Sequence, residues 1–287
     1  MSTLLDLLRA EPFELVLSSG FFGFYAHTGV VAALEEVGLV PARIGGSSAG
    51  ALIAGLWGAG VSAARIQKEL FSLRRNSFWD ADPTLGLGFY LGDEGPGARI
   101  GGFLPQRLRS ALVPEDATGA GLLRGAAFDA LVRQALSDLG VSRFDQCRVP
   151  VRVAAFDLKT LRTTVLDEGD LAMAIRASCS FPGMFQPVRI GAARYLDGGI
   201  SDRPGISTAT PGARLLFHHL PTHSPWRRLW RGQNHVPTWP EMYLLHEPRL
   251  PRLSPFNLHP GPTAFTLARE MTLRELHAPP RRYEPTR

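Results

Sequence analysis

Lysine is almost missing from this chain: of its 31 basic residues only Lys68 and Lys159 are lysines, and the rest are arginine. Cysteine is scarce too. Cys147 and Cys179 are the only two in 287 residues, which excludes a disulfide framework and fits a reducing compartment. Residues 1–8 have neither a basic start nor a sustained apolar run, and they carry Asp6. They read as a short amphipathic helix rather than a secretion signal, so a cytoplasmic location is expected, with peripheral membrane contact as an addition. The charge-free stretch 44–61 has the length of a membrane span, but six of its 18 residues are glycine. A buried helix is the expectation there. No repeat of fixed period and no low-complexity tract occurs, which excludes a solenoid.

The arginines leave a net charge of +5 and a pI near 9.7. No recognised nucleic-acid module accompanies that charge, so no nucleic-acid partner is expected. One extension interleaves Trp226 and Trp230 with Arg227, Arg228 and Arg231. Tryptophan favours the headgroup layer and arginine is drawn to anionic lipid, so this segment is expected to act as an interfacial anchor. His219 and His223 have no carboxylate or cysteine near enough in sequence to complete a ligand set, so no metal is expected.

With 45 % apolar residues, the chain is long enough to bury a sizeable core as one domain, residues 10–287. Strand patterns occur at 13–18, 42–45, 149–156, 162–166, 188–190, 214–218 and 242–246. Helical periodicity occurs at 24–37, 48–57, 63–74, 128–139 and 263–276. Such alternation predicts an α/β three-layer sandwich with a largely parallel central sheet. Residues 80–125, rich in glycine and proline, break the alternation and are expected to cap a binding pocket. Residues 205–287 form a strand-and-helix extension.

Two motifs carry the chemistry. Gly46-Ser47-Ser48-Ala49-Gly50 lies between a strand and an apolar helix, the setting of a nucleophile elbow that presents Ser48. The helix starting there directs its free N–H groups toward that serine. About 150 residues on, Asp197-Gly198-Gly199 follows a strand pair, 187–190 and 193–196. Read alone, it is an Asp-Gly turn at a sheet edge.

Together with Leu17-Ser18-Ser19-Gly20-Phe21-Phe22-Gly23-Phe24 after the first strand, these motifs resemble the patatin-like phospholipase family. Further matches are Ala26-His27-Thr28-Gly29-Val30, Asp157, residues 169–176 and Ala177-Ser178-Cys179-Ser180-Phe181-Pro182-Gly183. The resemblance runs from Glu14 to Pro204, then more weakly. It implies a lipid acyl hydrolase with Ser48 as nucleophile, Asp197 as base and no cofactor. Backbone N–H groups near Gly20, Phe21 and Ala49 would then hold the oxyanion. The chain departs from the family's first loop, where Ser19 and Phe21 take glycine positions and Gly23 takes that of a basic residue. Any residue but proline supplies a backbone N–H, so the oxyanion site survives this change. A cation beside the substrate does not.

Three alternatives stay open on sequence. His218, His219 and His223 follow Asp197, so the order of a Ser-His-Asp triad is formally available. The altered loop is also compatible with a lipid-binding module of reduced activity. A degenerate nucleotide-binding turn would need G-x-G-x-x-G, and Ser18 occupies its first position.

Overall fold

The computed structural model describes residues 2–20, 22–74, 77, 80, 121–221, 236–254 and 256–284. Their helices are α1 (Leu4–Ala10), α2 (Phe24–Glu36), α3 (Ala49–Ala59), α4 (Ala63–Ser72), α5 (Ala126–Ser137), α6 (Leu171–Ser178) and α7 (Gly261–His277). The strands are β1 (Glu14–Leu17), β2 (Arg43–Ser47), β3 (Gly121–Leu123), β4 (Val151–Asp157), β5 (Arg162–Leu166), β6 (Gly183–Phe185), β7 (Val188–Ile190), β8 (Ala193–Asp197), β9 (Leu215–His219) and β10 (Met242–His246).

The main sheet has the order β10-β9-β1-β2-β4-β8-β7, with β5 paired to β4 beside that path. From β10 to β4 every pair is parallel, whereas β5, β7 and β8 run antiparallel to their neighbours. The largely parallel sheet expected from the alternation is therefore present, and the antiparallel strands on one side of it are an addition from the structure. A parallel strand covered on both faces reads as a continuous apolar run, and Leu15, Val16 and Leu17 of β1 are all buried. Leu15 and Leu17 join the helices α2, α3 and α7 in the large core, while Val16 joins Leu215, Phe217, Met242 and Ala209 on the opposite face. Leu4, Leu5 and Leu8 of α1 belong to the large core as well.

Several boundaries shift by one or two residues. β2 continues to Ser47 because both of its neighbours pair with the motif residues: Gly46 lies opposite Leu17 on one side and Val153 on the other. Helix α6 and the short β3–β6 pair were not expected from the sequence. Residues 44–61 form β2 and the buried α3, as expected. Among the described residues no helix is long and apolar enough to cross a membrane. The expected cap, 80–125, falls mostly outside the described residues. At its base, Asp80 accepts N–H bonds from Gly125 and Ala127 through its carboxylate and from Arg124 through its carbonyl. The residues flanking 81–120 are thus tied side by side. Trp226, Arg227, Arg228, Trp230 and Arg231 also lie outside the described residues.

The role of the motif glycines is close approach rather than backbone freedom. Neither Gly46 nor Gly50 has a positive φ. A Cβ on Gly46 would sit 2.5 Å from the Gly50 carbonyl carbon, and one on Gly50 would sit 2.1 Å from the Leu17 oxygen. Their absence lets α3 fold back on β2 and lie against β1. Gly50→Ala is accordingly expected to lower the unfolding free energy by about 1–3 kcal/mol, the usual cost of overpacking, as read from urea denaturation.

Candidate active site

Strand register brings the two motifs together. Ser47 pairs with Ala154 of β4, and the next residue of β4, Ala155, pairs with Asp197 of β8. One strand therefore separates the residue before Ser48 from Asp197, and both stand at nearly the same height on the sheet. Asp197 is not at a sheet edge, as its motif suggested. It ends a strand paired with both β4 and β7, and a short 3₁₀ turn follows at Gly198–Ile200. Gly198 is required there because a Cβ would lie 2.2 Å from the Ala154 carbonyl oxygen.

Ser48 takes φ 54° and ψ −119°. This left-handed conformation is costly for a residue with a side chain, on the order of 1–3 kcal/mol, and persists only where neighbours enforce it. The neighbours here are identifiable. The Ser48 N–H donates to Ser178 Oγ at 2.8 Å, and that hydroxyl donates to the Ala154 carbonyl at 2.6 Å. The Cys179 thiol approaches the Ser48 carbonyl oxygen at 3.2 Å. Two residues beyond Ser178, the Ser180 carbonyl accepts the Asp197 N–H at 3.0 Å. The end of α6 thus grips the main chain of both motif residues. Sequence reading placed Ser178 and Ser180 inside a motif but assigned them no role. Their partners are remote in sequence and serine is too common to signal such a contact.

The strained turn directs the Ser48 hydroxyl at Asp197. Ser48 Oγ donates to Asp197 Oδ2 at 2.7 Å, and the Gly199 N–H donates to Oδ1 at 2.8 Å. Asp197 is 3 % exposed. Burial raises its pKa to about 6, against the smaller lowering effects of the Ser48 and Gly199 hydrogen bonds and of the Arg203 charge. Arg203 was not singled out on sequence. It supplies a positive charge near the carboxylate, and its carbonyl accepts the Ser19 N–H at 2.7 Å. A cation absent from the first loop is therefore present on another segment.

Gly20, Ser48, Ala49 and Asp197 line one cavity of about 350 Å³. Its wall is mostly apolar and includes Phe22, Leu52, Leu56, Val132, Phe181 and Phe185. Among the described residues the N–H groups of Gly20 and Ala49 have no acceptor. Phe21, expected beside them, lies outside the described residues. Phe22 is buried with φ 57° and its ring is 5.3 Å from that of Phe24. Among the described residues no histidine lines the cavity. His218 instead bonds His27, and His223 lies outside the described residues. Among the described residues no group of three His, Cys, Asp or Glu side chains is placed to hold a metal.

The family model described as patatin-like phospholipase matches residues 15–210. The chain belongs to the patatin-like phospholipase family. An uncharacterized NTE family protein of Mycobacterium bovis is 29 % identical over 188 residues, covering 66 % of this chain and 42 % of that protein. Another, from Mycobacterium tuberculosis, is 27 % identical over 193 residues, 67 % of this chain and 27 % of the relative. The chain thus spans less than half the length of these curated relatives. VipD from Legionella pneumophila superimposes with a TM-score of 0.50 at 16 % identity, covering 93 % of this chain and 67 % of that one. That likeness speaks for the fold alone.

The raised pKa of Asp197 has a thermodynamic sign. The folded state holds this proton more tightly than the unfolded chain does, so the group favours folding below pH 4. That contribution is lost as pH rises through about 6. Asp197→Asn, which cannot ionise, is therefore expected to stabilise the protein at pH 8 by on the order of 3 kcal/mol, at about 1.4 kcal/mol per pKa unit. The gain should shrink toward zero at pH 4, as followed by chemical denaturation at both values.

Proposed function

We propose that this chain is a serine lipid acyl hydrolase, cleaving carboxylic esters through an acyl-enzyme on Ser48 with Asp197 as general base. The observation that carries this reading is the 2.7 Å hydrogen bond from Ser48 to a buried carboxylate, at the wall of an apolar cavity. A serine hydroxyl attacks only as its proton leaves, and the carboxylate is within reach to take it. Burial makes that carboxylate a better base than a solvated aspartate, while leaving it ionised near neutral pH.

In this mechanism Ser48 Oγ attacks the ester carbonyl and its proton passes to Asp197. The tetrahedral oxyanion is held by the N–H groups of Gly20 and Ala49, with Phe21 as a further donor. Preorganised donors of this kind contribute about 3 kcal/mol each. The C–O bond then breaks, and Asp197 returns the proton to the departing alcohol. Water, deprotonated by Asp197, attacks the acyl-serine and releases the fatty acid. The cavity wall takes the acyl chain by burying its methylenes. The family's name and the apolar wall together support a lipid ester as substrate, and no step needs a cofactor. Such an enzyme meets its substrate at a lipid surface, for which Trp226, Arg227, Arg228, Trp230 and Arg231 are the proposed contact.

A panel of p-nitrophenyl esters tests this reading. Burial contributes about 0.8 kcal/mol per methylene, so kcat/KM is expected to rise about fourfold per added carbon and level off once the cavity is filled. Ser48→Ala and Asp197→Asn should each lower kcat by about 10³-fold or more. Ser178→Ala should lower kcat by about 10- to 100-fold with little change in KM, the loss of one buried hydrogen bond expressed as rate. Hydrolysis that is indifferent to chain length, or that survives Ser48→Ala, would refute the assignment.

A further inference from the structure

Beneath the loop that follows β1 lie two histidines that the dyad does not use. His27 of α2 and His218 of β9 are both fully buried, and their rings meet edge to face with centroids 4.8 Å apart. His27 Nδ1 is 2.8 Å from His218 Nδ1, and His27 Nε2 is 2.8 Å from the Ser18 carbonyl oxygen. A carbonyl oxygen only accepts, so His27 Nε2 carries a hydrogen. Burial holds both rings neutral, lowering His27 to about 4 and His218 well below the ordinary value. A neutral imidazole has one N–H. His27 Nδ1 is therefore a lone pair, and His218 Nδ1 must donate to it. His218 Nε2 is then bare, which agrees with its lack of any partner among the described residues. No other assignment of two neutral rings satisfies both contacts.

The relay ends on one peptide plane. The Ser18 carbonyl is held by His27, and the N–H on the other side of the same plane, that of Ser19, donates to the Arg203 carbonyl at 2.7 Å. A planar unit fixed at both edges cannot rotate. Ser18 is further held by its N–H to the His218 carbonyl and by its hydroxyl, which accepts the Leu220 N–H at 2.9 Å. The next N–H along the chain is that of Gly20, which has no acceptor among the described residues and belongs to the cavity wall.

We propose that His27 and His218 are positioning residues for the acyl transfer, a tautomer-locked pair that fixes the Ser18–Ser19 peptide and so aims the Gly20 N–H at the oxyanion. This inference rests on the reading of the site as an acyl hydrolase. Neither ring touches the substrate.

Substitutions that keep or remove each donor separate positioning from packing. His27→Gln keeps an N–H near the Nε2 position, and His218→Asn keeps one near the Nδ1 position, whereas His27→Leu and His218→Leu remove them. The leucine variants are expected to lose about 10- to 100-fold in kcat with KM within twofold, less than the loss of a whole oxyanion donor. The Gln and Asn variants should recover most of that loss. Nitrogen-15 imidazole shifts of the wild-type protein should show His218 as the Nδ1–H tautomer and His27 as Nε2–H. Exchange of the Ser19 amide should be slow in the wild type and faster in the leucine variants. Equal kcat in all four variants, losses that follow thermal stability without rescue, or a His218 Nε2–H tautomer would each overturn the proposal. If the wild type hydrolyses no ester, the acyl hydrolase reading fails, and the positioning role falls with it. The tautomers and the Ser19 exchange would still report separately whether the relay exists.

Discussion

A carboxylate 3 % exposed, hydrogen-bonded to a serine hydroxyl at 2.7 Å, is an expensive thing to build. Water would solvate the charge better, and the folded chain compensates with only two hydrogen bonds and one nearby arginine. The rest of the described structure can be read as what keeps this arrangement from relaxing. Ser48 is held in a backbone conformation it would not choose, and Asp197 in a protonation range it would not have in water. Both departures from local preference serve the same contact, and strain of this kind gathers at functional sites.

The restraint is distributed over elements remote from one another along the chain. Strand β4 sets the height of the two residues through consecutive register pairs. The end of α6 binds the Ser48 N–H through Ser178 and the Asp197 N–H through Ser180. Glycines at 46, 50 and 198 remove the side chains that would push these backbones apart. The first loop is fastened from the opposite side, by His27, Leu220 and Arg203. Nothing in this scheme requires an imidazole at Ser48: among the described residues no histidine lines the cavity, His218 bonds His27, and the His219 ring packs 5.6 Å from that of His246.

Much of this was legible in advance, and the reason is local chemistry. The elbow and the aspartate motif announce themselves because close approach of backbones demands glycine at fixed offsets. Strand and helix positions followed from periodicity wherever an element was long enough to show one. Contacts between distant residues were not legible. Ser178 and Ser48 are 130 positions apart, and His27 and His218 are 191 apart. A serine or a histidine in a buried relay looks the same in a string of letters as one that faces water. Arg203 escaped notice for a related reason: a cation was sought in the first loop, whereas the fold delivers one from the segment after β8.

The central claim is that Asp197 takes the Ser48 proton. Its most direct test is the rate at which a fluorophosphonate labels Ser48 as a function of pH, in the wild type and in Asp197→Asn. The account predicts labelling that rises to half its maximum near pH 6, where Asp197 ionises, and that collapses at every pH in the asparagine variant. Labelling that is unchanged by Asp197→Asn would contradict it.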